Sequence, residues 1–322
     1  MKNKKTIMFF SALLIVIFHM WIYVLGRNPV EMFVKQISYI GVDIFFLLSG
    51  YSLGKRRVDR YGSFMLNRVK SVYLKFAVFA IVAFLFTGGK DYAAKFGTLL
   101  RTLGFVDLFK NGGGAFLWFA PAIMLFYAIF PVFQRADEKD RKRTAIIVCL
   151  IWAVIAVLFT YIFKVKTIFI FWNRLPVFLI GYYLYSLEEA LVDDKLRLLL
   201  GVLLTVIGGV LVYFFAYNRK LQTPITDMFY LMVIVLAVGL TFLVSFIPEG
   251  KWIKIFGSAT LEMYAFQMIF GYKIANAVIK YVKVPLATNI IVIIIILAAS
   301  VLIHELWSCV EKSVAKLVNC LK

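Results

Sequence analysis

Charge is scarce in this 322-residue chain: 16% of its residues are Asp, Glu, Lys or Arg, against 63% hydrophobic and 17% aromatic. Soluble domains carry about 25% charged and about 45–50% apolar residues, so an ordinary water-facing surface cannot be assembled from this composition. Disorder is excluded on the same ground, because disordered chains are poor in apolar and aromatic residues. Cysteine is thin too. Cys149, Cys309 and Cys320 are too few and too scattered for a disulfide framework. The two histidines, His19 and His304, lie far apart with no cluster of Cys or carboxylates around them, so no metal site is expected. Several motifs are missing. His304-Glu305 lacks the second histidine of a zincin, Gly112-Gly-Gly114 has no following Lys-Ser/Thr, and no Gly-x-Ser-x-Gly occurs. Acidic residues number 17 against 36 Lys and Arg, a net charge of +19. In a soluble protein that excess would suggest nucleic acid. With a mean hydropathy of +0.90, it is explained first by basic loops on one side of a bilayer, and no nucleic-acid partner is expected.

What the chain does have is long apolar runs. Runs of about 20 residues, the length needed to cross a bilayer, fall at roughly 6–25, 36–54, 71–87, 115–134, 144–163, 168–187, 197–217, 226–246, 258–279 and 288–308. This predicts an all-α polytopic membrane protein with about ten spans. One integral membrane domain over 1–322 is expected, with no fused soluble domain. The first run is too long for a signal-peptide core and has no small-residue cleavage site, so it reads as a retained span. The stretch 88–114 has room for a short interfacial helix ending at the glycines. With the N-terminus inside, the loops on its side carry 21 Lys and Arg and the opposite loops 12. That bias places both termini in the cytoplasm of a cell membrane, most simply a bacterial cytoplasmic membrane.

Polar groups inside spans cost a few kcal/mol each, so each needs a reason. His19 lies past mid-membrane in the first run, Asp43 in the second, Arg174 in the sixth, and Glu262 and Gln267 in the ninth. His304 and Glu305 lie near the end of the tenth, where snorkelling lowers the cost. Helix-to-helix hydrogen bonding accounts for most of these. An isolated deep imidazole is an expensive fastener, and a neutral one can accept a proton near physiological pH, as a general base must. Composition and spacing name no reaction beyond this.

The segment Gly41-Val-Asp-Ile-Phe-Phe-Leu-Leu-Ser-Gly-Tyr51, about two dozen residues after His19, resembles the Gly-Val-Asp-Leu-Phe-Phe-x-x-Ser-Gly segment of the membrane acyltransferase-3 family. Four further stretches are similar to family segments, in order: Phe64-Met-Leu-Asn-Arg-Val-Lys-Ser-Val-Tyr73, Leu117-Trp-Phe119 with Tyr127 and Pro131, Arg174-Leu-Pro-Val-Phe-Leu-Ile-Gly181, and Leu261-Glu-Met-Tyr264. The resemblance implies transfer of an acyl group, often acetyl, from cytoplasmic acyl-CoA to a hydroxyl outside, typically on a surface glycan. It implies His19 and Asp43 as catalytic residues, His19 taking the acceptor's proton and Asp43 orienting the imidazole. It also implies acyl-CoA as a co-substrate with no bound cofactor.

A cationic surface directly after the Asp43 segment is the expected seat for the donor's phosphates. Arg56, Arg57, Arg68 and Lys70 supply it together with Lys55 and Arg60, and Lys5, Ser49, Gly50 and Tyr73 complete the donor set. Trp118, Arg174, Glu262, Tyr264 and Gln267 are supporting residues. Three positions depart from the family pattern: Met8 where an arginine is usual, Ser71 for the second arginine of the third-span motif, and Gln267 for a histidine. Lys5, about 40° off the His19 face, partly substitutes for the first. Many relatives carry a soluble domain that completes the transfer, so a separate extracytoplasmic transferase is an expected partner. The competing reading is a flippase or exporter of a polar or lipid-linked molecule, with no covalent chemistry.

Overall fold

The computed structural model describes residues 2–22, 29–86, 92–165, 167–190, 193–214 and 229–320, and every regular element among them is helical. Among the described residues, five helices are long and apolar enough to cross a bilayer: Pro29–Gly54, Tyr61–Phe86, Phe119–Lys139, Asp194–Val212 and Pro285–Ser313. The other runs appear as shorter or interrupted helices, and residues 23–25, 215–217 and 226–228 of the expected runs lie outside the described residues.

The elements are α1 (Lys4–Met20), α2 (Pro29–Ile37), α3 (Ile40–Gly54), α4 (Tyr61–Arg68), α5 (Leu74–Phe86), α6 (Tyr92–Leu103), α7 (Val106–Asn111), α8 (Phe119–Lys139) and α9 (Arg141–Val157). They continue with α10 (Phe169–Trp172), α11 (Leu175–Ala190), α12 (Asp194–Val212), α13 (Phe229–Val244), α14 (Lys251–Ser258), α15 (Thr260–Phe266), α16 (Tyr272–Val282) and α17 (Pro285–Cys320). The third run starts ten residues earlier than its apolar stretch, because α4 carries the basic sequence into the helix and joins α5 through a π turn, Val69–Tyr73. The sixth is broken at Asn173-Arg174. The ninth is two helices, α15 and α16, separated by a π turn at Gln267–Gly271, and the stretch before it, expected as a loop, holds α14. The tenth extends to Cys320 instead of ending at 308. The stretch 88–114 holds two helices, α6 and α7, and its glycines form a 3-10 turn (residues 87–91 lie outside the described residues).

Four hydroxyls inside these helices bond the carbonyl one turn back, which suits a lipid environment: Ser11 to Ile7, Ser52 to Leu48, Thr241 to Ala237 and Ser300 to Ile296. Outward faces are apolar, as on α9, where Ile146, Leu150 and Val154 are exposed. That is the pattern expected where the solvent is hydrocarbon.

The chain forms two compact units. The first takes Met1–Phe45, Lys195–Tyr217 and Leu236–Lys322. Its core sets Ala12, Val16 and Met20 of α1 with Ala259, Met263, Val292 and Ile296. Small residues permit the close crossings. A Cβ on Gly257 would overlap the Lys5 carbonyl, and one on Gly41 the Ser11 carbonyl.

The second unit takes Phe46–Asp194 and Asn218–Val235. Its centre is aromatic: Phe46 lies 5.4 Å from Phe126, which lies 5.5 Å from Phe178. α3 and α11 touch backbone to backbone. A Cβ on Gly50 would strike the Phe178 carbonyl, and one on Gly181 the Leu47 carbonyl. α8 keeps its helix through Pro131. α9 begins at Asp140, whose Oδ1 accepts from the Arg143 N–H at 3.0 Å.

Candidate functional site

The residues singled out in the sequence fall into two groups, each within one unit. The first surrounds His19, in the last turn of α1. Its Nδ1 lies 2.9 Å from the Ile15 carbonyl. A carbonyl oxygen only accepts, so Nδ1 carries the proton and Nε2 carries the free lone pair. Phe18 packs edge-on to the ring at 5.0 Å and Tyr264 approaches it at 6.4 Å.

The Gln267 amide stands 3.5 Å from Nδ1, on a fully buried side chain whose Oε1 has no hydrogen-bond partner. Because Nδ1–H is a donor, the amide atom that complements it is the oxygen. Turning the amide by 180° gives Nδ1–H a second acceptor and removes the orphaned oxygen. Gln267 opens the π turn, and the extra residue of that turn carries the chain past Met20, whose sulfur a Cβ on Gly271 would overlap.

Asp43 is fully buried in the first turn of α3, where the helix dipole favours a carboxylate. No hydrogen bond joins it to His19 among the described residues; the groups seen beside Nδ1 are the Ile15 carbonyl and the Gln267 amide. Lys5 sits in the first turn of α1, about 21 Å along the axis from His19 at 1.5 Å per residue. Its backbone N–H donates to Glu249 Oε1 at 2.7 Å. Glu262 Oε1 meets His304 Nδ1 at 3.1 Å, fastening α15 to α17. This is the helix-to-helix bond expected of such residues.

The second group surrounds a basic pocket of about 550 Å³ at the turn between α3 and α4. Arg56, Arg57, Arg60 and Arg68 line it with Ser63 and Asn67, and Asp59 is its one acid. The Arg68 guanidinium lies over two rings, 5.0 Å from Phe64 and 4.6 Å from Tyr127. Its Nε is buried without a hydrogen-bond partner. The turn is held from α8. Gln134 donates to the Arg56 carbonyl at 2.8 Å and accepts from the Val58 N–H at 2.9 Å. Glu138 pairs with Arg57 at 3.3 Å. α8 is itself tied to α11 through buried Asp137, which accepts from Tyr183 at 2.6 Å and Tyr182 at 3.1 Å.

Other expected donor contacts lie elsewhere. Lys70 is exposed and Tyr73 donates to the Leu103 carbonyl at 3.2 Å, neither lining the pocket. Gly50 is occupied by the crossing of α3 and α11, and Ser49 beside it is half-buried. Lys55 lies over the Tyr51 ring at 5.0 Å. Trp118 and Arg174 do come together: the guanidinium sits 5.1 Å from the indole, and Nη1 donates to the Ile170 carbonyl.

Gln134 and Asp137 were not singled out in the sequence. Gln134 closes an apolar run and Asp137 opens a charged loop, so neither stood out as a polar group within a span. A family model described as an acyltransferase domain matches residues 9–305. No curated protein and no solved structure gives a match.

Proposed function

The chain belongs to the acyltransferase-3 family, and we infer that it moves an acyl group, acetyl in the first instance, from cytoplasmic acyl-CoA to a hydroxyl of a glycan outside the membrane. We take it to cross a bacterial cytoplasmic membrane ten times with both termini inside. The observation that carries the reading is the proton placement on His19: Nδ1–H is held by Ile15, which leaves Nε2 as a base.

In the reaction, Nε2 takes the proton of the acceptor hydroxyl as its oxygen attacks the thioester carbonyl. The C–S bond breaks, and the imidazolium returns the proton to the departing CoA thiolate. Ile15 and Gln267 stabilise the charged ring by accepting from Nδ1–H. The arginine pocket suits the phosphates of CoA. Four guanidinium groups meet one acid there, and guanidinium forks match phosphate oxygens in pairs. No bound cofactor is required, since acyl-CoA is consumed.

Inside-out vesicles containing the protein, given acetyl-CoA labelled in the acetyl group, test this. Label should appear on carbohydrate in the vesicle interior, with free CoA released outside in equal amount. Movement of an unmodified solute without CoA release would contradict the reading and support export. A separate transferase inside the vesicle would show itself as label held on this protein's direct product until that partner is added.

A further inference from the structure

A second cavity in the same unit as the basic pocket has different chemistry. Between α8, α9 and α11 lies an apolar groove of about 450 Å³. Its walls include Ile129, Val132, Ile147, Val148, Ile151 and Trp172. The one hydroxyl on its lining is Thr144, and the Trp172 indole N–H is spent on the Trp152 carbonyl at 3.1 Å. Nothing along its length would hold a polar ligand.

Its extent is informative. Along α8 the groove runs from Ala136 to Phe126, about 15 Å at 1.5 Å per residue. That is half of a hydrocarbon core about 30 Å thick, the depth of one leaflet.

Its charge is one-ended. Ala136 and Thr144 mark the end nearest the turn between α8 and α9, next to Arg135 and Arg143, with Lys139, Arg141 and Lys142 in the same turn. Three acids share that turn: Asp137 accepts from Tyr182 and Tyr183 and pairs with Arg141 at 3.6 Å, Glu138 pairs with Arg57, and Asp140 caps the Arg143 N–H, so five cations face three acids. Arg135, Lys139, Lys142 and Arg143 are exposed in that turn, Arg135 and Arg143 adjacent in sequence to the lining residues Ala136 and Thr144. The complementary occupant is apolar for one leaflet's depth and anionic at one end.

We propose that this groove binds an anionic phospholipid, one acyl chain lying between α8 and α9 and the phosphate on the cations of the α8–α9 turn. The site is separate from acyl transfer and does not depend on it. Basic residues at a membrane surface favour anionic lipid by about fivefold in affinity for each cation.

Trp172 makes the site observable. The full-length protein in phosphatidylcholine nanodiscs is titrated with phosphatidylglycerol brominated in its acyl chains, and separately with brominated phosphatidylcholine. The Trp172 signal is the difference between wild type and Trp172→Phe. Quenching of that signal is expected at a several-fold lower mole fraction of phosphatidylglycerol. The Lys142→Gln/Arg143→Gln double variant, altered only at exposed side chains, should bring the two lipids level. Val148→Phe, which fills the groove, should abolish quenching by both. Equal quenching by the two lipids in wild type, a preference that survives the double variant, or a Trp172 signal untouched by either lipid would overturn the proposal.

Discussion

Gln134 donates its amide N–H to the Arg56 carbonyl at 2.8 Å, while its Oε1 accepts the Val58 N–H at 2.9 Å. One buried side chain thus satisfies the backbone on both sides of Arg57 and holds the turn that carries three of the pocket's arginines. Gln134→Leu leaves two backbone groups unpaired, each costing about 1–3 kcal/mol. A lower melting temperature and weaker CoA binding are expected, with Gln134→Glu, which keeps the acceptor, lying between. Calorimetric titration with CoA and a thermal melt check this. Unchanged CoA affinity in Gln134→Leu would show that the pocket does not depend on this grip.

Arg68 is held by ring faces, so its charge alone does not describe it. Arg68→Lys keeps the charge but loses the planar group that spans Phe64 and Tyr127. Cation–π contacts are worth about 0.5–2 kcal/mol, so CoA affinity should fall several-fold in an equilibrium binding measurement. An equal fall in Arg57→Lys, whose guanidinium pairs with Glu138 and Asp59, would argue that charge, not stacking, decides.

Gln267 acts through the imidazole. Gln267→Leu is close in volume and removes the second acceptor from Nδ1–H. The turnover number should drop by about five- to tenfold, the effect of roughly 1 kcal/mol lost from a charge-assisted bond, with CoA affinity unchanged. Gln267→Glu, which restores an acceptor, should recover part of the rate. Loss of CoA binding in the Leu variant would assign Gln267 to the donor instead.

Gly50 separates a packing role from a ligand role. A Cβ there meets the Phe178 carbonyl, so Gly50→Ala must push α3 from α11, with a cost of about 1–3 kcal/mol. A lower melting temperature is expected irrespective of CoA. Wild-type melting with weakened CoA binding would return Gly50 to the donor site.

The all-helical class was legible from charge scarcity and 20-residue apolar runs, and the family from the segment around Asp43. Helix breaks were not legible. The run 258–279 reads as one span by length and hydropathy, yet a π turn at Gln267–Gly271 adds a residue that no hydropathy pattern marks. The basic residues of 55–70 looked like a loop because charge was counted before helix propensity, whereas Tyr61–Arg68 is helical. His19 was found because an imidazole is costly in a span. Of its Nδ1 neighbours, Gln267 also stood out as a polar residue within a run, whereas the Ile15 carbonyl carries no sequence signal. The Nδ1 of His19 bonds within its own helix, to the Ile15 carbonyl, a contact that a triad analogy with Asp43 does not suggest.

The direct test of the reading is the rate of acetyl transfer from acetyl-CoA by His19→Ala protein, with melting temperature and CoA affinity matched to wild type. General base catalysis contributes about 10²- to 10⁴-fold, so the turnover number should fall by that factor while CoA still binds. Transfer at the wild-type rate by folded His19→Ala protein would contradict the assignment of His19 as the base.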